Sequence, residues 1–129
     1  MSVLTRKLVS MKSFKSRTPA TEEQIKRAED ELCISFAQEY SEYLAKFGSA
    51  SCYGHEFTGI CTPAYLDVVG VTKQQREQNG DIPPDWYVVE ELHVDGMTVW
   101  QDRKGNVYLK VPGNIPEKIT NSLAEYIEL

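Results

Sequence analysis

Thr21-Glu22-Glu23-Gln24 opens the most constraining stretch of the chain, because it fixes where a helix begins. The Thr21 hydroxyl can accept a backbone N–H while the Gln24 side chain reaches back, forming a capping box. Glu22 and Glu23 sit where the helix dipole favours negative charge. Ile25, Ala28 and Leu32 follow at helical spacing, so one face is apolar. Cys33 to Phe36 breaks that period and leads to a second helix bearing Tyr40, Tyr43, Leu44 and Phe47 on one side. Lys46 lies in its last turn, and Gly48 supplies a left-handed stop. Ser49 to Gly54 is small and polar and reads as a loop; Glu56 to Ile60 reads as a short strand.

The rest of the chain adds a sheet. From Tyr65 to Gln78, Leu66, Val68, Val69 and Val71 suit a strand, but the polar run from Thr72 favours a helix, which Asn79-Gly80 ends. Ile82-Pro83-Pro84 interrupts regular structure. Trp86 to Val94 is rich in aromatic and β-branched residues. Asp95-Gly96 is a hairpin signal, since a primed turn needs positive φ. Met97 to Gln101 returns, Arg103 to Asn106 turns again, and Val107 to Val111 is a third strand. Pro112 to Pro116 is a loop, and Ser122 with Glu125 caps a short final helix. Helices, then a meander, then a helix predict an α+β fold. Its sheet is mostly antiparallel with a C-terminal meander, covered by N-terminal and C-terminal helices.

At 129 residues the chain is long enough for one domain with a real core. Its charge is unevenly placed. Residues 1–20 carry Arg6, Lys7, Lys12, Lys15 and Arg17 with no acid, a net +5; the remaining nine basic and 19 acidic residues give −10. The expected organisation is therefore a basic N-terminal segment over 1–20 and a single domain over 21–129. The leader has a transit-peptide composition but lacks the apolar core of a secretory signal; a short or frayed helix is the simpler expectation. An acidic domain is poorly suited to a phosphate backbone and well suited to a basic protein partner. No apolar run is long enough to span a bilayer, so neither nucleic acid nor membrane is expected as a partner. The odd set Cys33, Cys52 and Cys61 points to reduced thiols in a cytoplasm.

Residue chemistry names no reaction. Cys52-x-x-His55-x5-Cys61 falls short of a zinc site, which wants two close ligand pairs; Cys33 and His93 stand apart from it. A Cys nucleophile needs a base and an orienting group, and spacing alone supplies neither. Gly-rich phosphate loops and Gly-x-Ser-x-Gly are absent from the sequence. No cofactor, metal or catalytic residue is expected. Glu90 and Glu91 are neighbours in a strand and point to opposite faces, so one must be paired if both faces are dry. Asp81, Asp85, Trp86, Glu90, Glu91, Asp95 and Asp102 combine acids with an aromatic residue and form the candidate partner-binding set. Trp100 is expected in the core.

The order of these pieces resembles the SUKH superfamily of Smi/Knr-like proteins. Glu22-Glu23-Gln24-Ile25 through Leu32 resembles its opening helix, and Phe36 to Leu44 its second, with Ala37 where a Pro is usual. Phe57-Thr58-Gly59-Ile60, Asp81 to Val89, Gly105-Asn106-Val107-Tyr108 and Ser122 to Ile127 resemble the later strands and terminal helix. Phe47-Gly48-Ser49-Ala50 departs from the usual Asn-Gly-Gly but keeps the Gly stop. The resemblance implies a non-enzymatic protein-binding domain. In bacteria this is an immunity protein that neutralises a cognate toxin, often a nuclease, by direct binding, and the acidity here would suit a basic toxin. The alternatives are an intracellular regulatory or scaffolding module, as in fungal members, and a small enzyme using Cys52, His55 or Cys61. A free edge of the meander leaves a monomer or a homodimer open.

Overall fold

A computed structural model describes residues 2–129. Its elements are α1 (Val3–Val9), β1 (Lys15–Ser16), α2 (Glu22–Leu32), α3 (Gln38–Phe47), β2 (Ala50–Cys52) and β3 (His55–Glu56). A 3-10 turn (Ala64–Leu66) and α4 (Val68–Gln78) follow, then β4 (Tyr87–Glu91), β5 (Thr98–Gln101), β6 (Val107–Lys110), β7 (Glu117–Thr120) and α5 (Leu123–Tyr126). The strands form two antiparallel sheets, β1-β2-β3 and β4-β5-β6-β7, each in chain order. A bridge from Phe57 to Glu90 and a Thr58 N–H donated to the Val89 carbonyl join β3's exit to β4. The expected α+β architecture is the observed one.

The local signals act as written. Thr21 Oγ1 accepts from Gln24 N–H, and Gln24 returns the bond to Thr21 N–H. Gly48 ends α3 at φ 70°. Asp95 and Gly96 both take positive φ in the β4–β5 turn. Residues 68–78 are helical because Asp67 caps the Gly70 N–H and the valines Val68 and Val71 pack inward. Ala37 gives α3 no side-chain cap; its own N–H donates to the Tyr87 hydroxyl at 3.0 Å, a tertiary contact that ties the start of the helix to β4.

Four expectations change. The strand expected over Glu56 to Ile60 shrinks to His55–Glu56, followed by single bridges at Phe57 and Gly59. Ser49 to Gly54 contains β2, paired to β1 on one side and β3 on the other, so long-range ladders outweigh its weak strand propensity. Glu117–Thr120 is a fourth meander strand, β7, where the sequence suggests only a passage to the last helix. Its single aliphatic residue is too little signal; pairing with β6 supplies the order. The basic residues 1–20 lend Leu4 and Leu8 to the same core as α2, α3, β4 and α5. The charged side chains of α1 face outward at helical spacing while these two leucines, 2% and 1% exposed, face in.

That core lies on one face of the meander. Tyr40, Tyr43, Phe36 and Tyr87 pack edge-on or tilted with centroids 4.9–5.3 Å apart. Their hydroxyls are satisfied: Tyr43 donates to the Thr58 carbonyl at 2.6 Å, and Tyr87 donates to Gln101 Oε1 at 2.7 Å. Gln101 Nε2 in turn donates to Glu39 and to the Gly105 carbonyl. The opposite face holds a smaller cluster in which Trp100, fully buried as expected, packs with Val71, Ile82 and Val88.

Candidate protein-binding face

Strand alternation decides which acids are available. In β4, Tyr87 and Glu90 face the main core, and Val88 and Glu91 face the other way, with a bulge at Val89 keeping the two sets in phase. Glu90 is therefore 3% exposed. It accepts three bonds: from the Tyr126 hydroxyl at 2.6 Å, from Glu56 N–H at 2.8 Å, and its Oε1 lies 3.0 Å from His55 Nδ1. This is the pairing the adjacent glutamates required, and it removes Glu90 from the candidate surface. Burial and the nearby Glu90 carboxylate push the Tyr126 phenol well above its ordinary range.

Asp102 also serves the fold. It is 8% exposed and accepts from Lys104 and Asn106 N–H, from Asn106 Nδ2 and from the Tyr108 hydroxyl at 2.8 Å. Burial pushes its carboxyl up, but the bonds from Asn106, Tyr108 and Lys104 outweigh it and leave the group below the usual carboxylate range. Asp102 thus shapes the β5–β6 turn and anchors a phenol.

The remaining candidates lie outward. Trp86 is half-buried and stacks on Tyr108, with ring centroids 3.7 Å apart and planes inclined by 16°. Burial and then the Asp102 bond raise the Tyr108 phenol to about 12, so it stays a donor at ordinary pH. Asp85 is exposed and close enough to Tyr108 to be felt by it. Asp81 meets Lys110 Nζ at 2.9 Å, and Lys110 also donates to the Asn114 carbonyl. The bond from Lys110 is the main reason the Asp81 carboxyl lies below its ordinary value. Glu91, half-buried, accepts from Gln75 Nε2 at 2.9 Å. Asp95 sits alone at the exposed β4–β5 tip. The structure thus gathers Asp81, Asp85 and Trp86 around Tyr108 and Lys110, and leaves Asp95 apart.

Tyr108 is the residue that composition and acid-plus-aromatic proximity overlooked. Its signal was the alternation Val107-Tyr108-Leu109, which turns the phenol to the face opposite Val107. Cys52 and His55 are ladder partners across β2 and β3, but among the described residues no group of three or more His, Cys, Asp or Glu is placed to hold a metal ion. Cys33 is exposed, Cys52 buried and Cys61 half-buried, all unpaired. Burial, then the Glu90 charge, push the Cys52 thiol up, away from the thiolate a nucleophile needs. Among the described residues no helix is long and apolar enough to cross a membrane.

Two linked antiparallel sheets in chain order, helices over the core face and an outward aromatic stack define a small α+β domain. The family model SUKH_5, SMI1-KNR4 cell-wall, matches residues 4–129, so the chain belongs to the SUKH family. The match includes α1, in keeping with Leu4 and Leu8 in the core. Comparison with curated proteins gives no match. The family is in general one of non-enzymatic binding and immunity domains.

Proposed function

We propose that this protein is an immunity-type binding protein that neutralises a cognate toxin by direct contact, without catalysis, in a reducing cytoplasm. The observation that carries this is the Trp86–Tyr108 stack, held rigid from below by Asp102 and flanked by Asp81 and Asp85. Rigid, partly exposed aromatic side chains lose little entropy on binding and are the usual anchors of interfaces. The surrounding carboxylates favour a basic partner. Family membership supports the immunity role, and the net charge of −5, with every acid lying beyond residue 20, supports a basic toxin. The unpaired thiols support the compartment. His55 engaged by buried Glu90 and Cys52 sealed in the core support binding over chemistry. The exposed charges Glu117 and Lys118 on edge strand β7 discourage edge-to-edge pairing and support a monomer.

The test is co-expression with the product of the adjoining gene. Rescue of growth by the wild-type protein, lost in Trp86→Ala with Asp85→Lys, supports the reading. No toxic neighbour, or capture of housekeeping proteins instead, supports a regulatory module and overturns it.

A further inference from the structure

Trp86 stands at the end of residues 79–86, a connection between α4 and β4 made only of turns and bends. Pro83 and Pro84 carry no backbone N–H, so this stretch has few main-chain bonds with which to order itself. Ile82 N–H donates to the Asn79 carbonyl and Trp86 N–H to the Pro83 carbonyl, both at 3.2 Å and both within the loop. Near its start, Asp81 is tied to Lys110 and Ile82 is buried beside Trp100. The far end is fixed by a side chain from outside the loop.

That side chain is Arg76, in the last turn of α4. Its Nη2 donates to the Pro84 carbonyl at 2.7 Å and, more loosely, to the Trp86 carbonyl at 3.4 Å. Both Nη1 and Nη2 reach the Leu32 carbonyl at 3.3 Å. Leu32 is the last residue of α2, where carbonyls lack helical partners and a cation is favoured. One guanidinium thus gathers carbonyls from α2, from the loop and from the entry to β4, which its planar fork allows and a lysine ammonium does not. Arg76 is half-buried, and its Nε is buried without a partner, a costly state that packing alone would not call for.

We propose that Arg76 is the positioning residue of the Trp86–Tyr108 face. Its guanidinium holds the Pro84 and Trp86 carbonyls against the end of α2, so the indole is ordered on Tyr108 before any partner arrives. Asp102 fixes the phenol of the stack, and Arg76 fixes the backbone that carries the indole. An anchor ordered in advance spares the complex the entropy of ordering it, which raises affinity without a new contact. The role in binding rests on the toxin-face reading; the ordering of the loop does not.

The test is amide and indole NMR relaxation on the full chain, free of any partner. In the wild type, the Asp85 and Trp86 amides should be as ordered as those of β4, with order parameters of about 0.85. In Arg76→Met they should fall below about 0.6, and the Trp86 indole N–H should loosen with them while that of Trp100 stays ordered. Arg76→Lys, which keeps the charge without the fork, should lie between the two. Leu8→Val thins the main core on the opposite face of the meander and should leave Asp85 and Trp86 ordered. Equal loosening in Leu8→Val, or unchanged order in Arg76→Met, overturns the proposal. So does a loose Asp85–Trp86 segment in the wild type, which is read whether or not the Arg76 variants fold. Titrated with the product of the adjoining gene, Arg76→Met should bind about tenfold more weakly than the wild type. A loosened loop that binds at wild-type strength, in a protein whose affinity Trp86→Ala abolishes, also overturns the positioning role. Wild-type affinity in Trp86→Ala instead rejects the toxin-face reading, and the order parameters then decide whether Arg76 holds the loop.

Discussion

The Tyr126 hydroxyl donates to Oε1 of Glu90 across 2.6 Å, joining the last helix to the first strand of the meander. Glu90 is nearly sealed from water, so its charge depends on this bond together with those from Glu56 N–H and His55. Tyr126→Phe keeps the ring, which packs at 5.4 Å from His55, and removes only the donor. A hydrogen bond to a charged group contributes about 1.5–3 kcal/mol, so that is the expected loss in urea unfolding. A change below about 0.5 kcal/mol would mean Glu90 is satisfied without Tyr126.

Asp102 predicts the acid limb of stability. Its folded pKa is depressed relative to an unfolded aspartate near 3.9. The stabilisation is thus fully present above the unfolded value and is lost as pH falls through the folded one. Asp102→Ala should cost about 1.5–3 kcal/mol at pH 7 and flatten the decline in stability below about pH 4. Thermal unfolding of both proteins between pH 2.5 and pH 7 measures this directly. Parallel curves would show that the turn does not depend on the carboxylate.

Gly48 is irreplaceable by any L-residue. Its φ is 70°, and a Cβ there would press into the Thr18 backbone carbonyl oxygen. Backbone conformation and backbone collision act together, so Gly48→Ala should lower stability by more than about 2 kcal/mol or abolish soluble expression. Gly54, also at positive φ, has open space around it. Gly54→Ala should therefore cost about 1 kcal/mol, the conformational part alone. Equal effects at both sites would sink this account.

The two tryptophans should separate stability from binding. Trp100 is fully buried among Val71, Ile82 and Val88, with its indole N–H donating to Thr98 Oγ1 at 2.8 Å. Trp100→Ala should cost about 3–5 kcal/mol. Trp86 is half-buried and stacked, so Trp86→Ala should cost about 1–2 kcal/mol and yet remove most toxin affinity. Calorimetric binding of the folded Trp86→Ala protein at wild-type strength would reject the proposed interface.

Local chemistry was legible where the partner lies within one helical turn. The Thr21–Gln24 box, the Gly48 stop, the Asp95-Gly96 turn and the Ser122 cap each involve atoms a few residues apart, so their physics is written in the chain. The capping at Ser122 even shows its limit. Glu125 returns its bond to Asn121 N–H, one residue before the cap, rather than to Ser122 N–H. The strands β2 and β7 were not legible, since three or four polar-rich residues become strands only when a neighbouring ladder is in place.

The candidate face shows the same division. The sequence required that one of Glu90 and Glu91 be paired, because neighbouring strand residues diverge. It could not say that Glu90 goes inward, since the Val89 bulge, His55 and Tyr126 come from three separate regions. It offered Asp102 as a surface acid, although the turn it caps draws it inside. By itself the sequence determined helix limits, turn types, charge distribution and the α+β order, all set by short-range geometry. Tertiary structure alone decided which carboxylates face water, that residues 1–20 help to fill the core, and that Tyr108 underlies Trp86, because burial is a property of neighbours distant in the chain.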